Sequence, residues 1–97
     1  MEIIKGEIYS YYDNLVKVIN IDKISDSEEI ILTIQYVIDS YFNVGNENHP
    51  YDWTTGGMNW LNVYPNELKS KEYAIKKMLA KIKKVQKEIK IIGGNNV

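Results

Sequence analysis

Residues able to do chemistry are few here, because the chain holds one histidine, His49, and no cysteine. A single imidazole without thiolates cannot build a multi-histidine or thiolate metal site. The hydroxyls nearest to it in sequence are Thr54 and Thr55, so only folding could bring a more distant serine within reach of that base. Asp39 and Asp52 are carboxylates of the kind used as general acid and base, yet nothing in their spacing pairs them. Gly56-Gly57 lacks the lysine and the serine or threonine that a phosphate-binding loop needs at fixed distance. These residues lead us to expect a non-enzymatic protein with no cofactor and no metal.

Groups suited to binding are better represented. Apolar residues at Leu68, Ile75, Ile82 and Ile89 recur every seventh position, and Met78, Val85 and Ile92 form a second row, which together make a heptad seam. With Ile75 at position a, lysines fill the b positions and the c positions include Lys77 and Lys84, with Lys87 at f and Lys81 at g. Lys76, Lys83, Lys87 and Lys90 are the candidate phosphate contacts of a sequence-independent nucleic-acid face. The seam itself, Ile75, Met78, Ile82, Val85 and Ile89, either packs on the chain's own sheet or pairs two copies. Leu79 and Ala74 widen the stripe as a core-facing helix requires.

Two further clusters fit a protein partner. Tyr51, Trp53 and Trp60 surround the Gly56-Gly57 pair, and tyrosine and tryptophan anchor interfaces or stack on bases. Asp26, Glu28 and Glu29, with Asp22, crowd one polar turn and offer an anionic surface to a basic nucleic-acid-binding enzyme. An anionic membrane is a poor match for the lysine-rich stretch, which has no tryptophan or phenylalanine to anchor it.

The elements that must position these residues read as strands followed by one helix. Residues 6–12 are rich in tyrosine and fit a first strand, with a turn at Asp13-Asn14. Residues 15–22 form the second strand of that hairpin, and 23–29 a longer turn. Residues 30–38 alternate with Ile30, Leu32, Ile34, Tyr36 and Ile38 on one side. The same residues fit a helical count, but β-branched and aromatic content favours a central strand. Residues 43–57 make a long loop, 58–64 a last strand ended by Pro65, and 66–92 the helix, capped by Asn66 or Ser70 and stopped by Gly93-Gly94. A frayed tail, 93–97, follows. The expected fold is α+β: a curled antiparallel sheet of about four strands with a C-terminal amphipathic helix, a layout that resembles a small SH3-like open barrel.

Composition sets the frame for all of this. The chain of 97 residues, 44% hydrophobic and 26% charged, suits a single globular domain. Lack of a long apolar run points to a protein with neither signal peptide nor membrane span, hence cytoplasmic. All 12 basic residues are lysine, so bidentate guanidinium recognition of phosphate or guanine is missing. Abundant isoleucine, asparagine and tyrosine suggest the AT-rich genome of a low-GC bacterium or its phage. Net charge is −1, but residues 1–66 carry 3 lysines against 10 acids and residues 67–97 carry 9 against 3. From this split we expect a protein-binding module, such as a phage or mobile-element inhibitor that occludes a host nucleic-acid enzyme or defence nuclease. The alternatives are a nucleic-acid-binding accessory protein using the lysine face, and a homo-oligomer held by the helix.

Overall fold

The structure is a computed structural model that describes residues 1–45 and 60–94. Five strands are present among these residues: β1 (Ile8–Tyr11), β2 (Asn14–Lys23), β3 (Ile30–Ile38), β4 (Trp60–Val63) and β5 (Leu68–Ser70). They form an antiparallel sheet in the order β4-β3-β2-β1-β5, which is not closed into a barrel. Helix α1 (Lys71–Gly93) follows β5 directly.

Residues 30–38 form a strand, as their β-branching favours over the helical count. Leu32 and Ile34 are buried on one face with Val16 and Val18 of β2, Tyr9 of β1, Val63 of β4 and Leu68 of β5. Tyr36, Tyr11 and Ile3 close this core. Alternation does not run the whole strand. The register slips between Leu15 and Val16, pairing Leu15 with Ile38 but Val16 with Tyr36. One residue of β3 is thereby left over, and Ile38 turns to the opposite face. There it joins Leu15 and Phe42 against Ala74, Ile75 and Met78 of the helix. Ile30, at the far end of the strand, is exposed.

The first hairpin turns one residue earlier than expected, at Tyr12-Asp13, because Tyr11 pairs with Asn14. Tyr12 takes the left-handed backbone that such a short connection needs, at φ 52°. Asn14 is occupied instead in holding two segments together. Its amide donates to the Tyr11 carbonyl at 2.9 Å and accepts from the Ser40 N–H at 2.8 Å.

The expected helix from residue 66 is corrected: α1 begins at Lys71, with Ser70 as its N-terminal cap residue. Pro65 opens a 3-10 turn, Pro65–Glu67, and the Glu67 carboxylate accepts from the Tyr64 N–H at 2.7 Å. Leu68 is then extended, pairs with Tyr11 and is buried. This apparent first member of the heptad seam belongs to the sheet core, which is also why the sheet gains a fifth strand.

Ser10 joins helix to sheet. Its fully buried hydroxyl accepts from the Ala74 N–H at 2.8 Å and sits 2.8 Å from the Ser70 carbonyl and 3.2 Å from that of Lys71, to which it can donate. Ala74 N–H and Ser70 C=O are the pair that closes the first helical turn, so a side chain of β1 fixes where α1 begins. Gly94, at φ 66°, ends the helix, one residue beyond the expected boundary.

Candidate functional site

The acidic turn is the tip of the β2–β3 hairpin. Lys23 pairs with Ile30, and Ile24 closes the turn by donating to the Glu29 carbonyl at 2.9 Å. The Ser27 hydroxyl accepts from the Glu29 N–H at 3.0 Å, and Asp26 holds φ 60°. Asp26, Glu28 and Glu29 therefore sit on an ordered turn. Lys23 meets Glu28 at 3.4 Å, but that pair is solvated, with the Glu28 side chain 97% exposed, and offsets little of the negative field. Beside the tip lies an apolar step made by Ile30 and Tyr64, both exposed, with Pro65 and Asn66.

Of the aromatic candidates, Trp60 is exposed on β4 opposite Gln35. Tyr51 and Trp53, with His49 and Asp52, lie outside the described residues. The other carboxylate singled out, Asp39, is buried and committed to the backbone. One oxygen accepts from the Tyr41 and Asn43 N–H groups, each at 2.9 Å, and the other from the Asn43 amide at 3.1 Å. That arrangement shapes the turn after β3. Among the described residues no cluster of three histidine, cysteine or acidic side chains could hold a metal ion, and no helix is long and apolar enough to cross a membrane.

Helix α1 starts level with Tyr9, packs on β1 and β2, and runs toward the Tyr12-Asp13 turn. Lys77 reaches Asp13 at 2.9 Å and the Tyr73 hydroxyl at 2.9 Å. Lys81 donates to the Ser40 carbonyl at 3.1 Å and lies over the rings of Tyr41 and Phe42. These two lysines clasp the helix to the end of the sheet. Sequence reasoning assigned them to the outer face and missed the clasp, because Asp13 and Ser40 are remote in the chain and carry no local signal for it.

The clasp leaves a mark on titration. The hydrogen bond from Lys77, then the nearby charge of Lys69, holds the Tyr73 phenol below the ordinary tyrosine value. Burial, then Tyr11 and Asp39, pushes the Tyr36 phenol above it. On raising the pH Tyr73 ionises before Tyr36, and Lys77→Gln moves Tyr73 back up. Following the tyrosinate absorbance band in both proteins checks this. A curve unchanged by Lys77→Gln would mean that the contact does not persist in solution. Because its folded value is raised, Tyr36 contributes stability present below the ordinary tyrosine value and lost as pH rises through the folded one.

Beyond the clasp the helix leaves the sheet. Ala74 and Met78 are buried and Ile75 half-buried, whereas Ile82, Val85, Ile89 and Ile92 are 38%, 46%, 62% and 83% exposed. Packing on the sheet thus accounts for the first part of the seam, Ile75 and Met78, and not for Ile82, Val85 and Ile89. Lys76, Lys83, Lys87 and Lys90 are exposed and, among the described residues, have no ion-pair partner.

The two charged regions lie at opposite poles. Lys23 ends the ten-residue β2 at the acidic tip, and Asn14 begins it beside the clasp, about 30 Å away at roughly 3.3 Å per residue. The helical arm continues past the clasp for about 18 Å, at 1.5 Å per residue over 82–93. The molecule measures 65 × 29 × 16 Å. Searches with the chain find no matching protein-family model, curated protein or solved structure.

Proposed function

We propose that the chain is a small non-enzymatic protein-binding module that occludes a basic partner protein through its acidic hairpin tip. The observation that supports this most is the polar separation of charge. Had α1 crossed the tip, its lysines would neutralise Asp26, Glu28 and Glu29; instead the tip projects an anionic field from one end of an elongated body. Ile30 and Tyr64 beside it supply the apolar area that a protein interface needs and electrostatics alone does not provide. A nucleic-acid-binding protein is the partner class that this chemistry fits, since its basic groove is built to receive anions. In this reading the sheet is an opened SH3-like barrel, a likeness of layout resting on the strand order and the 3-10 turn before the fifth strand. Such a likeness positions the tip and carries no function.

A second reading draws on the arm, where Lys83, Lys87 and Lys90 are exposed and able to track a phosphate backbone. One set of measurements separates the two. The protein is used as bait in nuclease-treated lysate at near-physiological salt, beside Asp26→Lys/Glu28→Lys/Glu29→Lys and Lys76→Gln/Lys83→Gln/Lys87→Gln/Lys90→Gln variants. The occlusion reading expects one stoichiometric protein partner, captured about 10- to 1,000-fold more slowly by the acid-reversal variant and unchanged by the glutamine variant. Retention of nucleic acid from the same lysate left untreated with nuclease, with a salt slope that falls by roughly 3–4 on removing the four lysines, would replace it with the second reading.

A further inference from the structure

We infer that the notch beside the acidic tip is a seat for an arginine side chain of the partner protein. This rests on the occlusion reading only for the protein that brings the arginine. The notch exists because neighbouring strands end at different levels. β4 stops at Val63, opposite Leu32, while β3 extends through Ile31 to Ile30, which pairs with Lys23 of β2. Pro65 lacks the N–H that would extend the ladder and opens the 3-10 turn instead. The space left beside Ile30, ≈ 450 Å³, is lined by Glu29, Ile30, Tyr64, Pro65 and Asn66. Both walls stand on fixed backbone. The Glu29 N–H donates to the Ser27 hydroxyl and its carbonyl accepts from the Ile24 N–H, while the Tyr64 N–H donates to the Glu67 carboxylate and its carbonyl accepts from the Glu67 N–H.

The chemistry of the lining selects the occupant. Ile30 and Pro65 are apolar, the exposed Tyr64 offers an aromatic ring, and the Glu29 carboxylate has no hydrogen-bond or ion-pair partner among the described residues. Neighbouring acids are occupied: Glu28 takes Lys23, Asp22 accepts from Asn20, and Glu67 takes the Tyr64 N–H. A group that satisfies such a notch has an apolar stem ending in a cation. Arginine fits it best, because its planar guanidinium stacks on a ring face, its paired N–H groups meet a carboxylate, and its methylenes cover the apolar wall. Lysine brings the stem but only a point charge. All 12 basic residues of this chain are lysine, so neither its own arm nor a second copy can supply the group. The arginine comes from another protein, which Asp26 and Glu28 on the same turn attract.

The probe is the blocked tripeptide acetyl-glycyl-arginyl-glycinamide, titrated into isotope-labelled protein beside its lysyl and citrullyl analogues and followed by backbone amide shifts. Millimolar affinity is the scale for a ligand of this size. Shifts are expected at Glu29, Ile30, Tyr64 and Asn66. The lysyl peptide is expected to bind about 2- to 5-fold more weakly, and the citrullyl peptide, which keeps the shape and loses the charge, to give none. Glu29→Gln and Tyr64→Ala are each expected to weaken the arginyl peptide by about 2- to 5-fold, and Tyr64→Phe, which keeps the ring, to leave it unchanged. Both side chains are exposed, so the fold tolerates these exchanges. Equal binding of the lysyl peptide, shifts centred elsewhere on the sheet, or affinity indifferent to Glu29→Gln would overturn the inference. An empty notch in a protein whose acid-reversal variant still slows capture of a partner removes this assignment and leaves the occlusion reading. A peptide seated in the notch with no protein captured from lysate does the reverse.

Discussion

Met78→Asp strips the helix from the sheet, at a cost of about 3–5 kcal/mol, because an unpaired carboxylate is placed where almost no water reaches. Met78 is 7% exposed and packs with Leu15 and Ala74 over the outer face of the sheet, with Ile8, Ile38, Phe42 and Ile75 around it. The cost is a large part of the total stability of a domain this size. Only Ala74 and Ile75 of the preceding turn then hold the helix by apolar contact, since Ile82 and every apolar residue after it are exposed. The same replacement at Ile82, on the next turn of the same seam, is expected to change stability by no more than about 0.5 kcal/mol, as surface substitutions do. Urea titrations followed by tyrosine fluorescence and by far-ultraviolet dichroism give both numbers. Equal destabilisation by the two variants would mean that the seam packs on its own sheet along its full length, and that the arm does not project.

Leu32→Ala is expected to cost about 2–5 kcal/mol, the range for emptying a fully buried leucine site. Leu32 is fully buried at the middle of β3, level with Ile21 of β2 and Val63 of β4, with Val16, Val18 and Ile34 in the same core. Its neighbours come from strands held in register by backbone hydrogen bonds, so the site collapses poorly around the loss. The cavity adds to the lost transfer free energy. Thermal unfolding of the variant should begin well below that of the parent protein, and the helix signal should disappear in the same transition, because Ser10 and Leu15 tie α1 to that sheet. A midpoint close to the parent value would place Leu32 outside the core that organises folding.

Local chemistry determined a good deal. β-Branched and aromatic content made residues 30–38 a strand, and heptad spacing made 71–92 helical, since both periods are intrinsic to the backbone. The split of charge between the two parts of the chain was likewise legible by counting, and Gly94 follows the stop that the glycine pair announced. Leu68 was misplaced because it falls in phase with the heptad, and only its pairing with Tyr11 draws it into the sheet. Tertiary structure decided the rest. The slip at Leu15 and Val16 sends Ile38 to the helix side, the Ser10 hydroxyl sets the first turn of α1, and Lys77 and Lys81 find Asp13 and Ser40 across the fold. Whether the seam was core or surface could not be read from its spacing, because both uses require the same period. It was settled by geometry: the sheet ends near the clasp while the helix continues, leaving Ile82 to Ile92 bare and the acidic and basic poles apart.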